Sequence, residues 1–544
     1  MISKIHNYFF NNLKLLYPDL NLEQIIFKTE KTKFEKFGDY AINVAMILAK
    51  HLKKSPMLIA DEIIKKIELP DYIEKFEIAN PGFINIFIKK NFLYKQLFEI
   101  YKQKERYGYK EKKDKERVLI EYVSANPTGP LNVVSARAAA TGSTFVNIFN
   151  YCGYDCKSEF YVNDAGNQVE ILARSLFLRY LQLYQSDIEF PPECYQGEYI
   201  KEFAIKFNNE YGSKYINNFD VELFKNYAVS KMLAWQQNTL KNYRVNFDNF
   251  FSEKKLRESG EVEKIYKFLQ EQNLVYEKDN AFWFRSTNFF DDKDRVLIKS
   301  DGEWTYLLPD IAYHKNKYDR GFDLLINILG PDHHGYINRI LSAVKAFGKS
   351  EKSLKIIILQ QVNLFREGKK VKMSKRAGEL INLDDLIEEV GVDAARYFFL
   401  RRSPSSHLDF DLTLAKEQSQ NNPVYYVQYS CARISSILEK INLSNFNPDN
   451  IDLSILNHHL EIDLIKHLLD FEDVLSSITI SLEPHHIIMY VEELAAKFHA
   501  FYTECRVIDA PDDLKFARYI LIKAVHYIIK IILNLIGVSA PEKM

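Results

Sequence analysis

The sequence predicts an α/β protein with a doubly wound parallel sheet at its centre, an α/β domain before it and an all-helical domain after it. Residues 117–122 have the pattern of a buried strand, followed by a Pro/Gly turn and a helix of small residues from about Ser135. This order of strand, tight turn and helix is typical of the first unit of a nucleotide-binding sheet. The apolar runs at 323–329 and 354–359 suit further central parallel strands. From Asn421 onwards the apolar spacing is helical, with few Gly or Pro.

The length of the chain, 544 residues, predicts several domains, because one hydrophobic core does not grow to that size. Residues 1–110 alternate helical and strand-like patterns and are expected to form an N-terminal domain. Residues 111–415 should form the Rossmann-type sheet domain, with a polar, mostly helical insertion at about 175–290. Residues 416–544 should form the helical domain.

The composition is that of a soluble globular protein, with 47% hydrophobic and 27% charged residues. The longest apolar stretch, 520–536, is interrupted by charged and polar side chains and indicates a buried amphipathic helix, not a membrane span. Of the five cysteines, only Cys152 and Cys156 are close together, and no second pair or nearby histidine completes a zinc site. We therefore expect a cytoplasmic protein with no zinc and no membrane association.

Two segments could bind phosphates. The turn at 125–131, which includes Gly129, leads into a helix of small residues, and a helix N-terminus offers free N–H groups and a favourable dipole to an anion. Taken alone, such a turn more often serves packing. The loop at 368–378 is rich in Lys and Arg and could close over a triphosphate as a mobile loop. The common alternative for this loop is a solvated basic surface.

Together these segments resemble the two signatures of the class I aminoacyl-tRNA synthetases. The Lys-Met-Ser-Lys signature is present at 372–375. The His-Ile-Gly-His signature is degenerate: Asn132 and Ser135 stand in place of the two histidines, and Val134 in place of the glycine. Asn and Ser can donate hydrogen bonds to phosphates but cannot supply an imidazolium charge. The resemblance therefore implies an active enzyme whose rate and ATP affinity this departure could lower.

Within this class, the chain resembles the bacterial type of the arginyl-tRNA synthetase family along nearly its whole length. This resemblance implies ATP-dependent ligation of L-arginine to tRNA(Arg) through an arginyl-adenylate, with Mg²⁺ on the ATP phosphates and bound tRNA needed for arginine activation. It also implies the class I Rossmann-like catalytic domain with its helical insertion, an N-terminal domain that contacts the tRNA D-loop and a helical anticodon-binding domain. The segments that carry it are 37–43, 121–130, 161–168, 294–302, 306–314, 330–336, 391–402, 422–429 and 540–544.

The resemblance implies an arginine pocket with carboxylates for the guanidinium group. A planar cation with five donors is best held by carboxylates in side-on hydrogen bonds and by an aromatic ring. From the residues alone, Glu121 could instead be a strand-end surface carboxylate and Asp310 a helix N-cap. The implied guanidinium contacts are Glu121, Tyr306 and Asp310, the implied α-amino contacts are Ser124 and Asn126, and Asn132 is placed near the substrate carboxylate.

The implied ATP site includes both signatures. Lys372 and Lys375 are assigned to the triphosphate, and Ser374 and the loop glycines to closure of the loop. Asp332, His333 and His334 follow a predicted strand end and suit hydrogen bonds to arginine or adenosine better than a metal. The ATP-binding set is Gly129, Asn132, Ser135, His334, Lys372, Met373 and Lys375, and the catalytic set is Asn132, Ser135, Lys372, Ser374 and Lys375.

The implied tRNA contacts lie at the two ends of the chain. Residues 421–544 carry 10 Lys and Arg against 16 Asp and Glu, so anticodon binding there should depend on aromatic stacking more than on positive charge. Tyr426, Tyr429 and Arg433 share one helix face, although such a stripe is more often core, as we expect for Tyr425. The implied contacts are Asn80, Phe83 and Asn85 for the D-loop, and Tyr426, Tyr429, Arg433, Phe498, Tyr502 and Met544 for the anticodon.

The degenerate segment at 132–135 leaves an alternative open, namely a catalytically impaired synthetase-like protein that binds tRNA or has a regulatory role. The retained Lys-Met-Ser-Lys signature and the complete set of pocket residues argue against it. A class I synthetase for another amino acid is disfavoured by the paired acidic residues and by the lack of an insertion large enough for editing. A helical scaffold would explain only the last third of the chain. We expect the enzyme to be a monomer.

Overall fold

The computed structural model describes residues 1–111, 115–371, 381–444 and 446–544. The N-terminal unit is an antiparallel sheet in the order β1-β2-β4-β3, packed against three helices, and a fourth helix leads out of it. Its strands are β1 (Thr29–Lys31), β2 (Tyr40–Ile42), β3 (Ile73–Ala79) and β4 (Phe83–Ile88). Its helices are α1 (Ile2–Leu16), α2 (Val44–Leu52), α3 (Pro56–Lys66) and α4 (Lys90–Gln103).

The central sheet is parallel throughout and has the order β12-β11-β5-β6-β7. The predicted strands at 117–122, 323–329 and 354–359 are confirmed, but the last of these pairs only with β11 and is an edge strand, not a central one. The order of strands in a sheet depends on the whole topology, which apolar character alone does not reveal. The strands are β5 (Arg117–Glu121), β6 (Asp155–Val162), β7 (Asn249–Ser252), β11 (Leu324–Leu329) and β12 (Leu354–Ile358).

The crossover from β5 to β6 is the predicted helix of small residues, α5 (Val133–Tyr151), which begins two residues earlier than expected. Most of its side chains are buried, because it lies between the sheet and the helical domain. Gly142 is required there: a Cβ atom at this position would lie 2.2 Å from the ring of Tyr122. The small residues of α5 therefore permit close packing of helix on strand.

The predicted insertion is mostly helical, but it does not form one separate body. Helices α6 (Asn167–Leu181), α7 (Glu198–Tyr211) and α8 (Val221–Asn242) share a hydrophobic cluster of their own. Strand β7, inside the predicted range of 175–290, belongs to the central sheet. A small antiparallel sheet and three helices follow: α9 (Glu253–Glu258), α10 (Glu261–Glu271), β8 (Val275–Lys278), β9 (Ala281–Phe284), β10 (Arg295–Ile298) and α11 (Leu307–Asp319).

The last part of the sheet domain carries a second small sheet in the order β14-β13-β15. Its elements are α12 (Ile337–Ala346), β13 (Val362–Arg366), β14 (Lys369–Lys370), α13 (Leu383–Leu400), β15 (Leu408–Asp411) and α14 (Leu412–Lys416). The helical domain consists of α15 (Pro423–Glu439), α16 (His459–Leu468), α17 (Phe471–Ser481), α18 (His485–Glu504) and α19 (Asp512–Leu535).

Helix α19 contains most of the stretch 520–536 and is buried along most of its length, as predicted. Within the described ranges, no helix combines the length and the apolar character that crossing a bilayer requires. All five cysteines are buried, and none of them forms a disulfide. The N-terminal unit contacts the helical domain through ion pairs, including Lys31 with Asp470 and Lys466 with Asp39.

Candidate active site

The candidate active site lies at the carboxyl end of the central sheet, where β5 ends at Glu121. The next residues turn sharply, and Val123 and Ser124 have φ angles of +69° and +42°. Such angles are uncommon for residues other than glycine and occur preferentially at functional sites. The turn brings Ser124 Oγ within 3.1 Å of Glu121 Oε1, to which it donates, and within 3.2 Å of the backbone N–H of Tyr161, from which it accepts. The strained turn thus fixes one oxygen of Glu121.

Polar side chains stand side by side on three neighbouring strands beneath α11. Asn327 on β11 is paired with Glu121 on β5, which is paired with Glu159 on β6, and all three are buried. Lys317 of α11 donates to Glu121 Oε2 at 2.6 Å and to Asn327 Oδ1 at 3.1 Å. The interpretation of Glu121 as a surface carboxylate is therefore wrong, because it is only 6% exposed and forms an ion pair with a lysine that is completely buried.

Glu159 is held by its own set of donors and has a structural role. Arg320 donates to both of its oxygens, at 2.6 and 2.8 Å, and the hydroxyl of Tyr313 donates at 2.8 Å. Burial alone would raise the pKa of Glu159, but the hydrogen bonds and charge of Arg320 outweigh it, so the pKa lies below its usual value. This pair fixes the end of α11 to β6.

Asp310 lies in the first turn of α11 and is not its N-cap, which is Tyr306. The N-cap interpretation is therefore wrong. The Asp310 side chain is 26% exposed, and its Oδ1 lies 3.1 Å from Nδ1 of His314. Burial opposes ionisation of Asp310, but His314, Lys317 and the hydroxyl of Tyr336 stabilise the carboxylate and keep its pKa below the usual value. Tyr306, one turn earlier on the chain, is 77% exposed.

Three further buried residues of this site, His314, Lys317 and Asn327, were not among those predicted from the sequence. His314 and Lys317 follow Asp310 at offsets of four and seven, so the three lie on one face of α11. That spacing is a signal that could have identified the two helical residues. No signal in the sequence indicates that Asn327 faces them, because this depends on β11 lying beside β5.

The turn at 125–131 is tied to the insertion helices. Asn126 donates to Oε1 of Gln168 at 2.7 Å and accepts from Nδ2 of Asn163 at 3.0 Å. Gln236 of α8 donates to the carbonyl oxygens of Asn126 and Gly129, at 3.1 and 2.8 Å. The predicted α-amino contact Asn126 is therefore held in place by side chains from two other elements.

The start of α5 is closed by Asn132, which is its N-cap. Oδ1 of Asn132 accepts from the N–H groups of Val134 and Ser135 at 2.9 and 3.0 Å, and from the hydroxyl of Ser135 at 3.3 Å. The expectation of free N–H groups at this terminus is wrong for these two residues. The degenerate signature caps its own helix, a role that Asn performs well.

The Lys-Met-Ser-Lys segment falls in 372–380, outside the described residues, so the predictions for Lys372, Met373, Ser374 and Lys375 fall outside them too. Both flanks of the segment are described. Val371 donates to the carbonyl of Leu364 at 2.8 Å in the β13–β14 hairpin. On the other side, Asn382 forms a β-bridge with Asn132. The described residues that follow the segment thus lie beside the start of α5.

Arg137 connects α5 to the segments that follow β12 and α13. It is completely buried and donates to the carbonyl oxygens of Gln360 and Ser403, both at 2.8 Å. Burial lowers the pKa of this guanidinium to about 10. Asp332 and His333 are exposed after β11, and the side chain of His334 lies outside the described part.

The predicted D-loop contacts differ in accessibility. Asn80 is exposed in the turn between β3 and β4, and Phe83 is half-buried at the start of β4. Asn85 is only 5% exposed, because β4 is an inner strand with β2 and β3 on either side. The RNA contact of Asn85 stays a prediction, and little of this residue is accessible to RNA in this conformation.

The predicted anticodon face on α15 is partly exposed. Arg433 donates to the hydroxyl of Tyr429 at 2.7 Å, and its guanidinium lies 4.9 Å from the ring centre of Tyr502. Tyr426 packs on His499, with ring centres 5.0 Å apart. Tyr425 is half-buried and lies parallel to Tyr429, so the prediction that it belongs to the core is wrong.

Phe498 is completely buried among the helices of this domain, so its predicted RNA contact has no accessible surface in this conformation. A buried ring offers no face on which a base can stack. The terminal residue, Met544, is 55% exposed. Among the described residues, no group of three or more His, Cys, Asp or Glu side chains could hold a metal ion.

Comparison with known families divides the chain into three matched segments. Residues 3–88 match the arginyl tRNA synthetase N terminal domain. Residues 96–404 match the catalytic domain of tRNA synthetases class I (R), and residues 427–544 match the DALR anticodon binding domain.

Full-length relatives and one solved structure agree with these matches. The arginine–tRNA ligase of Carboxydothermus hydrogenoformans is 44% identical over 528 residues, 96% of this chain and 95% of that protein. The arginine–tRNA ligase of Bacillus subtilis is 43% identical over 535 residues, 97% of this chain and 96% of that protein. Among solved structures, the arginyl-tRNA synthetase of Thermus thermophilus superposes with a TM-score of 0.81 at 20% identity, covering 100% of both chains, which supports the fold.

Proposed function

The chain belongs to the arginyl-tRNA synthetase family of class I, and from this premise we propose that it joins L-arginine to tRNA(Arg) at the expense of ATP. The observation that carries the proposal is the convergence of Asp310, Glu121 and the flanks of the Lys-Met-Ser-Lys segment at one end of one sheet. The enzyme would act as a monomer in the cytoplasm.

The chemistry has two steps and needs no protein nucleophile. An oxygen of the arginine carboxylate attacks the α-phosphorus of ATP in line, the bond to the β-phosphate oxygen breaks, and pyrophosphate leaves. A ribose hydroxyl of the terminal tRNA adenosine then attacks the arginyl carbonyl carbon and releases AMP. Reactions of this kind depend on positioning and on stabilisation of phosphate charge.

For arginine, Asp310 is the proposed main partner of the guanidinium group, with Glu121 beside it and Tyr306 at the rim. Asp310 has a partly accessible carboxylate whose pKa favours the charged form. Ser124 and Asn126 are proposed to orient the α-amino group, and Asn132 to lie near the carboxylate. A lysine substrate lacks the fork of N–H groups, so it would leave buried carboxylate oxygens without partners.

For ATP, Lys372 and Lys375 are proposed to bind the triphosphate, with Ser374 and Met373 in the closing loop and Gly129 and His334 near the nucleotide. Because Oδ1 of Asn132 already accepts from the N–H groups of Val134 and Ser135, the side-chain amide of Asn132 is the proposed donor to phosphate. The hydroxyl of Ser135 is proposed to join it by turning away from Asn132, to which it donates in this structure. Mg²⁺ is expected to arrive with the phosphates and to neutralise part of their charge.

For tRNA, the accessible members of the two predicted sets are retained. Asn80 and Phe83 are proposed to contact the D-loop. Tyr426, Tyr429, Arg433, Tyr502 and Met544 are proposed to contact the anticodon loop, where bases stack on aromatic rings beside a guanidinium.

The impaired synthetase remains a second candidate because Asn132 caps its helix in place of a histidine that would meet ATP. ATP–pyrophosphate exchange with each amino acid, with and without tRNA, tests both proposals. We expect exchange with arginine alone, and only when tRNA is present. Exchange with another amino acid would contradict the proposed specificity, and no exchange in any mixture would favour the impaired protein.

A further inference from the structure

Lys317 is a completely buried lysine that the reaction described above does not use. Its Nζ donates to Oε2 of Glu121 at 2.6 Å and to Oδ1 of Asn327 at 3.1 Å, and lies 4.1 Å from the ring centre of Tyr313. A buried ammonium group is costly unless it is paired and fully hydrogen-bonded. The position of Lys317 between Glu121 and Asn327 therefore suggests that it serves the function of these residues.

A series of hydrogen bonds leads from Lys317 through Asn327 and His314 to Asp310. Lysine can only donate, so the oxygen of the Asn327 amide must face it. The amide nitrogen of Asn327 then lies 2.8 Å from Nε2 of His314 and donates to it. Nε2 of His314 therefore accepts this hydrogen bond, and Nδ1 of the ring faces the carbonyl oxygen of Asp310 at 2.8 Å and its Oδ1 at 3.1 Å.

We propose that Lys317 is a positioning residue for arginine, holding Glu121 directly and orienting Asp310 through Asn327 and His314. The inference rests on the proposed function and concerns the same site. It links the two carboxylates, which come from different elements, to one ammonium group: Glu121 directly, and Asp310 through Asn327 and His314. Glu121, Asn327 and His314 are each less than 10% exposed, so water cannot replace these contacts easily.

Lys317 also sets the charge of the pocket. Asp310 and Glu121 contribute −1 each and Lys317 contributes +1, which leaves −1 when His314 is neutral. A guanidinium group carries +1, so the occupied pocket is neutral overall. Two uncompensated carboxylates would carry an excess negative charge into a buried site, which is unfavourable. Lys317 therefore matches the pocket to a singly charged side chain.

The test uses the full-length protein and two variants that break the chain of contacts at different points. Lys317→Met keeps the aliphatic volume and removes the ammonium group. Asn327→Leu keeps the ion pair of Lys317 with Glu121 but disconnects His314. Lys315→Met is the matched control, because Lys315 lies on the same helix, is partly exposed and pairs with Asp319. Melting temperatures establish that each variant is folded.

Tenfold or greater loss of arginine affinity is expected for Lys317→Met, and a smaller loss for Asn327→Leu, because misplacement by 1 Å can cost about 100-fold. The KM values for ATP and tRNA should stay within twofold of the parent. A folded Lys317→Met protein with the parental KM for arginine overturns the proposal. So does a variant that loses kcat with unchanged KM for arginine, since that indicates a structural role. If Lys317→Met does not fold, the KM for arginine and the kcat of Asn327→Leu test the proposal in the same way.

Equilibrium dialysis with labelled arginine separates this inference from the proposed function. A parent protein that binds arginine but charges no tRNA refutes the proposed function, and the comparison of arginine affinities still decides the role of Lys317. A parent that binds no arginine overturns both. Weaker arginine binding in Lys317→Met than in Lys315→Met supports the proposal.

Discussion

Replacement of Asp310 by asparagine tests the arginine pocket most sharply, because it removes one charge at almost constant shape. The Asp310 carboxylate is about three-quarters buried and is held by His314. Removing one partner of a buried charge pair costs roughly 3–5 kcal/mol, whereas an exposed pair contributes 0–1 kcal/mol. For a side chain that is partly accessible we expect about 3 kcal/mol.

A loss of about 3 kcal/mol corresponds to a fall of roughly 100-fold in kcat/KM for arginine, since 1.4 kcal/mol is a factor of ten. The assay is tRNA aminoacylation at varied arginine concentration, with the KM for ATP measured in parallel and expected to stay unchanged. The control is Asp319→Asn on the same helix, whose side chain is 60% exposed. A normal KM for arginine in Asp310→Asn would refute the assignment of the pocket.

Three further predictions concern other parts of the molecule. Changing Asn132 and Ser135 together to histidine should lower the KM for ATP in pyrophosphate exchange. The same change removes the Asn cap, which is worth about 1 kcal/mol, and should lower the melting temperature by roughly 2–4 °C. An unchanged KM for ATP would show that the degenerate segment does not limit ATP binding. Tyr429→Ala should weaken tRNA binding by roughly 1–3 kcal/mol without changing the KM for arginine, and a parental KM for tRNA would count against the stacking face. Burial lowers the pKa values of His467 and His526 to about 4, so both are neutral in the folded protein and take up protons on unfolding below pH 6.5. The free energy of unfolding should therefore fall as the pH drops from 6.5 to 4, by at most about 3 kcal/mol per histidine. Urea unfolding of the His467→Gln, His526→Gln double variant should show a shallower dependence of this free energy on pH. An equal pH dependence in the parent and the double variant would contradict the prediction.

Much of the fold could be predicted because its signals are local. The strand at 117–122 and the helix after it are a continuous apolar run and a run of small residues, and both were found within two residues of their bounds. The helical character of the last domain is likewise a local periodicity. The position of β12 at the edge of the sheet is not local, since it depends on which strands pair.

In the candidate site, too, features with a local sequence signal could be predicted and features that depend on the fold could not. Asp310 and Glu121 lie in segments with a recognisable sequence pattern, whereas the contact of Asn327 with Lys317 and His314 arises from strand order and from the angle of α11 over the sheet. Burial was the least predictable property. Phe498 and Asn85 have residue types suited to RNA, but the packing of neighbouring helices and strands covers them.

A crystal structure with tRNA and a non-hydrolysable arginyl-adenylate analogue tests the central claim most directly. We predict guanidinium nitrogens within about 3 Å of the Asp310 carboxylate, with Glu121 still bound to Lys317 and the phosphate beside the Lys-Met-Ser-Lys segment. An analogue whose guanidinium group lies in another cavity, away from Asp310, would contradict the account.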